Sequence, residues 1–516
     1  MLLVTVRHRC YPLALMSAVD VSDHGVAKVA GARIPGARGD QHQTHPRRHP
    51  LNTSDRHVVH GLGCRGVDVV EAMAVKRGTP VRVAHRPAAS LVLAAAATMT
   101  LLTGCSSGSP EGGKPSGQGA GPSTKAYDPP RKFGKGVKLS ADENANAEVA
   151  LRGTTAYLLN DDGLEAYNTR TGSKLWTVSG PDGMSTGVEE RFRLKDDAPP
   201  VLAQQSGRTL ALFAYQAYTP GSGTTADVSS AHLRAVDADT GKVSWTAELP
   251  VPAGESFVDD STPTVVGAES GTAVVTVRTT PEDGNGETRS AITYGVDLNS
   301  HQVNWRQDDF GAAALESGTV VGAQLPDAAQ IDSERWFADD GGIGIVGRSA
   351  SDGAVRWKDS RNLYGLKIER VGAGLFSAEV NVEFKENPSD FELLDTGTGK
   401  LPSGMTKDSS AAISGLGCVY DQRSVVVCEG EGSLAALDAR THKVLWRMSD
   451  DDPARKVPTF LTTWHGAVYG HVAGNGYVIL DASTGKDRGT YDEGFLRAVN
   501  EYGGLDQDLT VYPATG

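Results

Sequence analysis

One phrase recurs along this chain every few tens of residues, and it limits the fold more than any other feature. Its fullest form is Asp237-Ala238-Asp239-Thr240-Gly241-Lys242-Val243-Ser244-Trp245, and it returns as DARTHKVLW from Asp438 to Trp446. Asn168 to Trp176, Asp297 to Trp305 and Ser349 to Trp357 fit the same frame. Asp395 to Lys400 and Asp481 to Lys486 keep the turn but carry Ser403 and Gly489 in the Trp slot. With Thr515-Gly516 read as a copy that stops at its turn, the turn positions are 171, 240, 300, 352, 398, 441, 484 and 515. Self-similarity at this period marks a repeat architecture.

Each residue of the phrase has a task in a hairpin. Gly tolerates positive φ without steric cost, so Thr-Gly makes a tight turn. The Asp three residues before the Thr-Gly glycine's neighbour can accept backbone N–H groups across that turn. The Trp falls on the following strand, four residues after the glycine position. An indole on an outer strand can dock against the neighbouring sheet and remove about 150–250 Å² from water. Trp176, Trp245, Trp305, Trp357 and Trp446 are therefore expected to dock one blade on the next.

From Ala147 onward the chain breaks into short apolar segments split by turn residues. Val149-Ala150-Leu151, Ala156 to Leu159, Leu164 to Tyr167 and Lys174-Leu175-Trp176 read as four strands, and no helical period competes with them. Further blades are expected near Leu210–Thr246, Val274–Arg306, Gly342–Lys358, Leu375–Lys400, Val419–Arg447 and Phe460–Thr490. The fold class is all-β: a single β-propeller of four-stranded blades over residues 137–516. A ring must close or leave two sheet edges open. The last blade, Leu496–Tyr502 with Asp508–Tyr512, lacks an outer strand, which Gly136 to Ser140 can supply. Eight blades with the last shared by both ends is the expectation; seven with a free tail is the alternative.

The upstream part reads differently. Residues 1–72 show no sustained period and hold 7 of the 13 His, without paired ligand spacing; they are expected to be a disordered extension or a start codon set too early. Met73 opens a signal-like segment, 73–104, with Lys76, Arg77, Arg82 and Arg86 before a 15-residue apolar core, Ala88 to Leu102. Leu102-Thr103-Gly104-Cys105 resembles the lipobox of bacterial lipoproteins, which implies a diacylglyceryl group on Cys105. Residues 105–136, rich in Ser, Gly and Pro, read as a flexible tether. The expected location is the extracytoplasmic face of the cell membrane.

The repeats resemble those of the quinoprotein dehydrogenases, in the shortened form called pyrroloquinoline-quinone-like repeat proteins. The lipoprotein scaffold of the outer-membrane β-barrel assembly machinery is similar in kind. This resemblance rests on the Asp-x-x-Thr-Gly-x-x-x-Trp phrases and implies an eight-bladed propeller. The catalytic members carry an adjacent Cys–Cys disulfide and a Ca²⁺ site. Here Cys418 and Cys428 lie ten apart and no metal or base residue can be carried over, so no enzymatic activity, cofactor or metal is expected.

Cys418 and Cys428 are the cysteines left after lipidation and removal of Cys10 and Cys64. Pairing Val419 with Val427 across a short turn sets them opposite one another, so a disulfide is expected. The one literal GxSxG, Gly104 to Gly108, straddles the lipobox and is read as chance. Asp339-Asp340 and Asp450 to Asp452 read as solvated loop ends, and His465 and His471 near Trp464 as loop or core residues. The chain carries a formal charge of -13, but residues 105–516 alone hold 37 Lys/Arg and 57 Asp/Glu, a net of -20. Such a body repels phosphate backbones, so no nucleic-acid partner is expected. The resulting expectation is a monomeric, membrane-anchored scaffold for an envelope protein partner. Its contact loops are Tyr215–Ser230 and Pro281–Thr288. A small ligand in the central channel and a quinone-dependent dehydrogenase are the alternatives.

Overall fold

The computed structural model describes residues 125–516 apart from 140–146, 161, 182–183, 186–198, 225–227, 258–262, 282–288, 333–334, 383–389, 407–408, 411–412, 414, 431 and 493. The chain divides into two compact units, Met1–Glu111 and Gly112–Gly516. The first unit, with the expected extension, signal segment and Cys105, lies outside the described residues.

The second unit is an eight-bladed β-propeller built from eight antiparallel sheets. Blade 1 is a plain meander of Glu148–Arg152, Thr155–Asn160, Gly163–Asn168 and Lys174–Ser179. Blade 6 (Gly417–Tyr420 to Val444–Ser449) and blade 7 (Thr459–Trp464 to Asp487–Tyr491) repeat it. The first strands of successive blades touch one another from blade 2 round to blade 8, and blade 8 touches blade 1. They form the inner ring, and the Trp-bearing fourth strands lie outermost.

Burial follows from this stacking. A second strand is covered on both faces, so it reads as an unbroken apolar run rather than an alternating one. In blade 1, Tyr157 and Leu159 pack toward blade 2 while Ala156 and Leu158 pack toward blade 8. Outer strands have one covered face and alternate: in Val243–Leu249, Trp245, Ala247 and Leu249 are buried and the residues between them exposed. The core is correspondingly eight apolar slabs, one at each junction between blades, among the described residues.

Both ends of the folded unit build blade 8, as expected. Leu496–Asn500, Gly503–Asp506 and Thr510–Pro513 come from the C-terminus. The outer strand is Val137–Lys138, with Val137 opposite Val511 and Lys138 opposite Thr510. The join extends beyond those two residues. Phe133 bridges Ala514, and the Gly516 carbonyl accepts the N–H groups of Arg131 and Lys132. Phe133 also sits edge-on to Tyr469 and Tyr491. The tether expected up to residue 136 is thus too long by about ten residues: Tyr127 onward is docked on blades 7 and 8. Its Pro-rich composition misleads because Pro130 lacks only a donor; its carbonyl accepts the buried Tyr469 hydroxyl at 2.8 Å.

Blade 4 also departs from the expectation. It begins at Phe310–Glu316 and Thr319–Gln324, well before Gly342, and ends with Gly344–Ser349 and Val355–Lys358. Between its second and third strands the chain leaves to form a hairpin, Gln330–Asp332 with Arg335–Phe337, that joins the sheet of blade 5. There Trp336 pairs with Leu366 of the inner strand Gly365–Gly372. Blade 5 adds Leu375–Asn381 and Asp390–Asp395 but has no fourth strand among the described residues. Met405, Ile413 and Leu416 fill its junction with blade 6 instead.

The shared blade yields a test. A chain begun at residue 139 loses the strand that covers Thr510–Pro513 and should self-associate through that edge, with a lower unfolding midpoint. Size-exclusion chromatography beside a chain begun at residue 125 reads this; a monomer of unchanged stability counts against closure by the N-terminal strand.

Candidate functional site

Two faces of the wheel differ. One carries the turns between strands 1 and 2 and those that follow the third strand in blades 1 to 7, and it is nearly uniform. The other carries the connections between strands 2 and 3 and between blades, and it is not.

On the uniform face the repeated phrase forms one hydrogen-bonded turn. The Asp237 carboxylate accepts the Thr240 N–H at 3.0 Å and the Thr240 hydroxyl at 2.7 Å. Asp438 does the same for Thr441, Asp297 accepts from Asn299 and Ser300, and Asn168 takes the role in blade 1. The residue after the Thr position is in the left-handed region throughout, from φ 55 at His442 to φ 72 at Gly241. A register shift follows each of these turns in blades 1, 2, 3, 4, 6 and 7. Such a bulge sharpens the local twist, which aims the next side chains at the neighbouring blade.

The indoles lie on those turns. Trp305 Nε1 donates to the Ala350 carbonyl at 2.8 Å, Trp357 to Thr396 at 3.0 Å and Trp446 to Ala482 at 2.8 Å, each on the turn of the following blade. Trp176 packs against Gly241 without an N–H partner. Trp245 stacks on His301. A Cβ placed on Gly241, Gly353, Gly399 or Gly485 would fall within 2.9 Å of an indole. The glycine therefore answers two demands, the positive φ and the flat approach of the ring. Sequence reasoning found the first and missed the second.

Cys418 and Cys428 face one another across the first two strands of blade 6 and are joined by a disulfide with a Cα–Cα distance of 4.0 Å. His465 and His471 are not brought together. His465 meets the Asp128 carboxylate at 2.5 Å and stacks on Trp464; His471 packs against Tyr477 and Phe495. Asp128 also pairs with Arg423, so the N-terminal segment crosses the uniform face over blades 6, 7 and 8. Among the described residues no group of three or more His, Cys, Asp or Glu is placed to hold a metal ion.

The other face is built up over blades 2, 3 and 4. In blades 1, 6 and 7 the second and third strands have six residues each. In blade 2 they are Arg208–Thr219 and Val228–Asp237, and in blade 3 Thr272–Pro281 and Ser290–Asp297. The excess of four to six residues in blade 2 over blades 1, 6 and 7 extends its hairpin by about 13–20 Å relative to theirs at ~3.3 Å per residue. Each tall hairpin gains an extra strand, Met184–Ser185 in blade 2 and Glu255–Phe257 in blade 3. Tyr218 and Val228 stand exposed near the blade 2 tip. The excursion of blade 4 rises on the same side. Of the expected contact loops, Tyr215–Ser230 is this blade 2 tip, and residues 282–288 lie outside the described residues.

An eight-bladed wheel pinned by indoles on Asp-x-x-Thr-Gly turns defines a PQQ-like repeat β-propeller. A family model described as "Outer membrane protein assembly factor BamB" matches residues 160–373, and the chain is a PQQ-repeat propeller similar to that family. Among solved structures, BamB from Moraxella catarrhalis is 14% identical over 74% of this chain and 99% of its own, with a TM-score of 0.37. Quinohemoprotein alcohol dehydrogenase from Comamonas testosteroni is 13% identical over 72% and 69%, with a TM-score of 0.36. No curated protein matches the chain.

Two predictions follow from the turns. Gly399→Ala forces a methyl into the Trp357 ring and should cost clearly more than Gly207→Ala, which also has positive φ but nothing within 4 Å. Overpacking of this kind adds about 1–3 kcal/mol, so urea midpoints separate the two; equal losses count against docking. The second concerns acid. The Thr240 hydroxyl holds Asp237 below the usual aspartate range, the Thr441 hydroxyl does so for Asp438, and the Ser300 N–H for Asp297. Burial pushes Asp481 up, but Ser483, Arg488 and Thr484 outweigh it and hold it at about 2. A folded pKa below the ordinary value near 3.8 stabilises the fold above that value, and this is lost as pH falls toward about 2. Asp481→Asn keeps an acceptor and cannot titrate, so the variant should show a shallower fall in stability over this interval than the parent.

Proposed function

We propose that this protein is a lipid-anchored scaffold of the cell envelope, held by Cys105 on the extracytoplasmic side, that binds a protein partner on its built-up face and performs no chemistry itself. One observation carries the reading: the long hairpins of blades 2, 3 and 4 rise on one face, while the described chain begins at Lys125 on the other. The Ser/Gly/Pro-rich sequence between Cys105 and Lys125 is the tether that this reading puts between the lipid and the uniform face, leaving the hairpins on the side away from the membrane. Long loops on a rigid frame are where binding specificity concentrates. The match to the BamB family model fits a protein partner in the envelope.

The test has two arms. Cys105→Ser should move the protein from the membrane to the soluble fraction. Replacing residues 326–342 by a short turn, or trimming the blade 2 hairpin beyond Tyr215 and His232, should abolish an envelope cross-link that substitutions on the uniform face leave intact. A cross-link that survives both hairpin changes would remove this face as the binding surface.

A further inference from the structure

At the junction of blades 2 and 3 the repeat departs from its own pattern. The turn that receives Trp245 reads Asp297-Leu298-Asn299-Ser300-His301. His301 holds the left-handed position, φ 62, where blades 1, 2, 4, 5 and 7 have Gly. Its imidazole lies nearly parallel to the Trp245 indole, 4.9 Å between centroids and 17° between planes. The Leu298 carbonyl is the counterpart of the Ala350, Thr396 and Ala482 carbonyls that accept an indole N–H. Here it accepts from the Gln205 side chain instead. Trp245 Nε1 is left buried without a partner, as Trp176 Nε1 is at the preceding junction. A cleft of about 540 Å³ is lined by residues of both turns.

The lining of this cleft runs against the charge of the chain. Arg208 and Lys242 line it, both exposed, and among the described residues neither side chain makes a hydrogen bond or ion pair. At the preceding junction Arg152 is paired with Asp239 at 2.8 Å. The counterpart of Asp239 in blade 3 is Asn299, which is neutral. The one carboxylate of the lining, Asp237, accepts the N–H and hydroxyl of Thr240 and also feels the charge of Arg208, though the two form no ion pair. Two cations against one carboxylate, beside an amide, hydroxyls and a propped imidazole, leave a net positive lining that suits a small anion carrying hydroxyl groups.

We propose that this cleft binds an anionic sugar, its phosphate or carboxylate between Arg208 and Lys242 and its hydroxyls on Asn299 and Ser244. The site lies on the uniform face and does not depend on the partner-binding reading. It needs no covalent step.

Calorimetric titration of the whole protein with glucose 1-phosphate, glucuronate and glucose tests it. At least one of the two anions should bind at a single site, and which of them binds identifies the acid group; glucose should give no heat. Arg208→Ala with Lys242→Ala should weaken binding by about tenfold or more, since each charged hydrogen bond is worth that much. Lys400→Ala, at the matching turn of blade 5, should leave it unchanged. His301→Gly restores the ordinary turn, so it should fold normally and bind more weakly. No binding of either anion, equal binding of glucose, or full affinity in the double variant or in His301→Gly overturns the proposal.

Discussion

The constraint on which the structure depends is that no blade can cover its own faces. The middle strands are apolar on both sides, as Ala156 to Leu159 show, so each sheet must be sandwiched by two others. Stacking alone does not fix the angle between sheets. The indole does: it spans from an outer strand to the turn of the next blade, and in three junctions its N–H is tied to a backbone carbonyl there. The turn in turn is set by an Asp or Asn that satisfies the N–H groups it would otherwise leave open. Each repeat contributes one pin and one receiver, and a ring of such units is stable only when the last receiver meets the first pin.

Closure therefore becomes a matter of the chain ends. Blade 8 has three strands from one end and one from the other, and Val137 packs against Gly172 of blade 1 where blades 1, 2, 3, 4 and 6 present an indole. The contact area lost by using a small aliphatic side chain is made up by residues 127–133. Phe133 enters the slab between blades 7 and 8, and Tyr469 donates to Pro130. Any pull along the N-terminal segment is thereby spread over blades 6, 7 and 8 before it reaches the closing strand. That arrangement suits a wheel held from its N-terminal side.

Much of this was legible in the sequence because one physical task recurs. The positions of the turns, the outer strands, the sharing of the last blade and the facing of Cys418 with Cys428 all follow from spacing. The parts that were not legible share a cause. Spacing reports order along the chain, whereas the hairpin at Gln330–Phe337 belongs to the sheet of the next blade. Composition reports solubility, whereas Asp128 and Pro130 are held by contacts from residues more than 300 positions away. The cleft between blades 2 and 3 required knowing that Gln205 occupies the Leu298 carbonyl, which no local pattern reveals.

The departures from the repeat are informative when compared with one another. Ser403 replaces the Trp of blade 5, and Met405, Ile413 and Leu416 fill the gap while His442 bonds the Ser403 carbonyl. Gly489 replaces the Trp of blade 7, and Phe133, Tyr477 and Tyr491 fill that gap. In both places the missing indole is compensated by apolar volume, as expected if the only demand is a packed junction. The junction of blades 2 and 3 is the reverse case. Its Trp is present and buried, but the turn beneath it has been changed: a histidine takes the left-handed position under the ring, and the Gln205 side chain takes the carbonyl that accepts an indole N–H at three other junctions, leaving that N–H unsatisfied. Each of these costs stability. A repeat that restores its packing where the pin is lost, but alters the receiving turn where the pin remains, bears the mark of a second demand at that site.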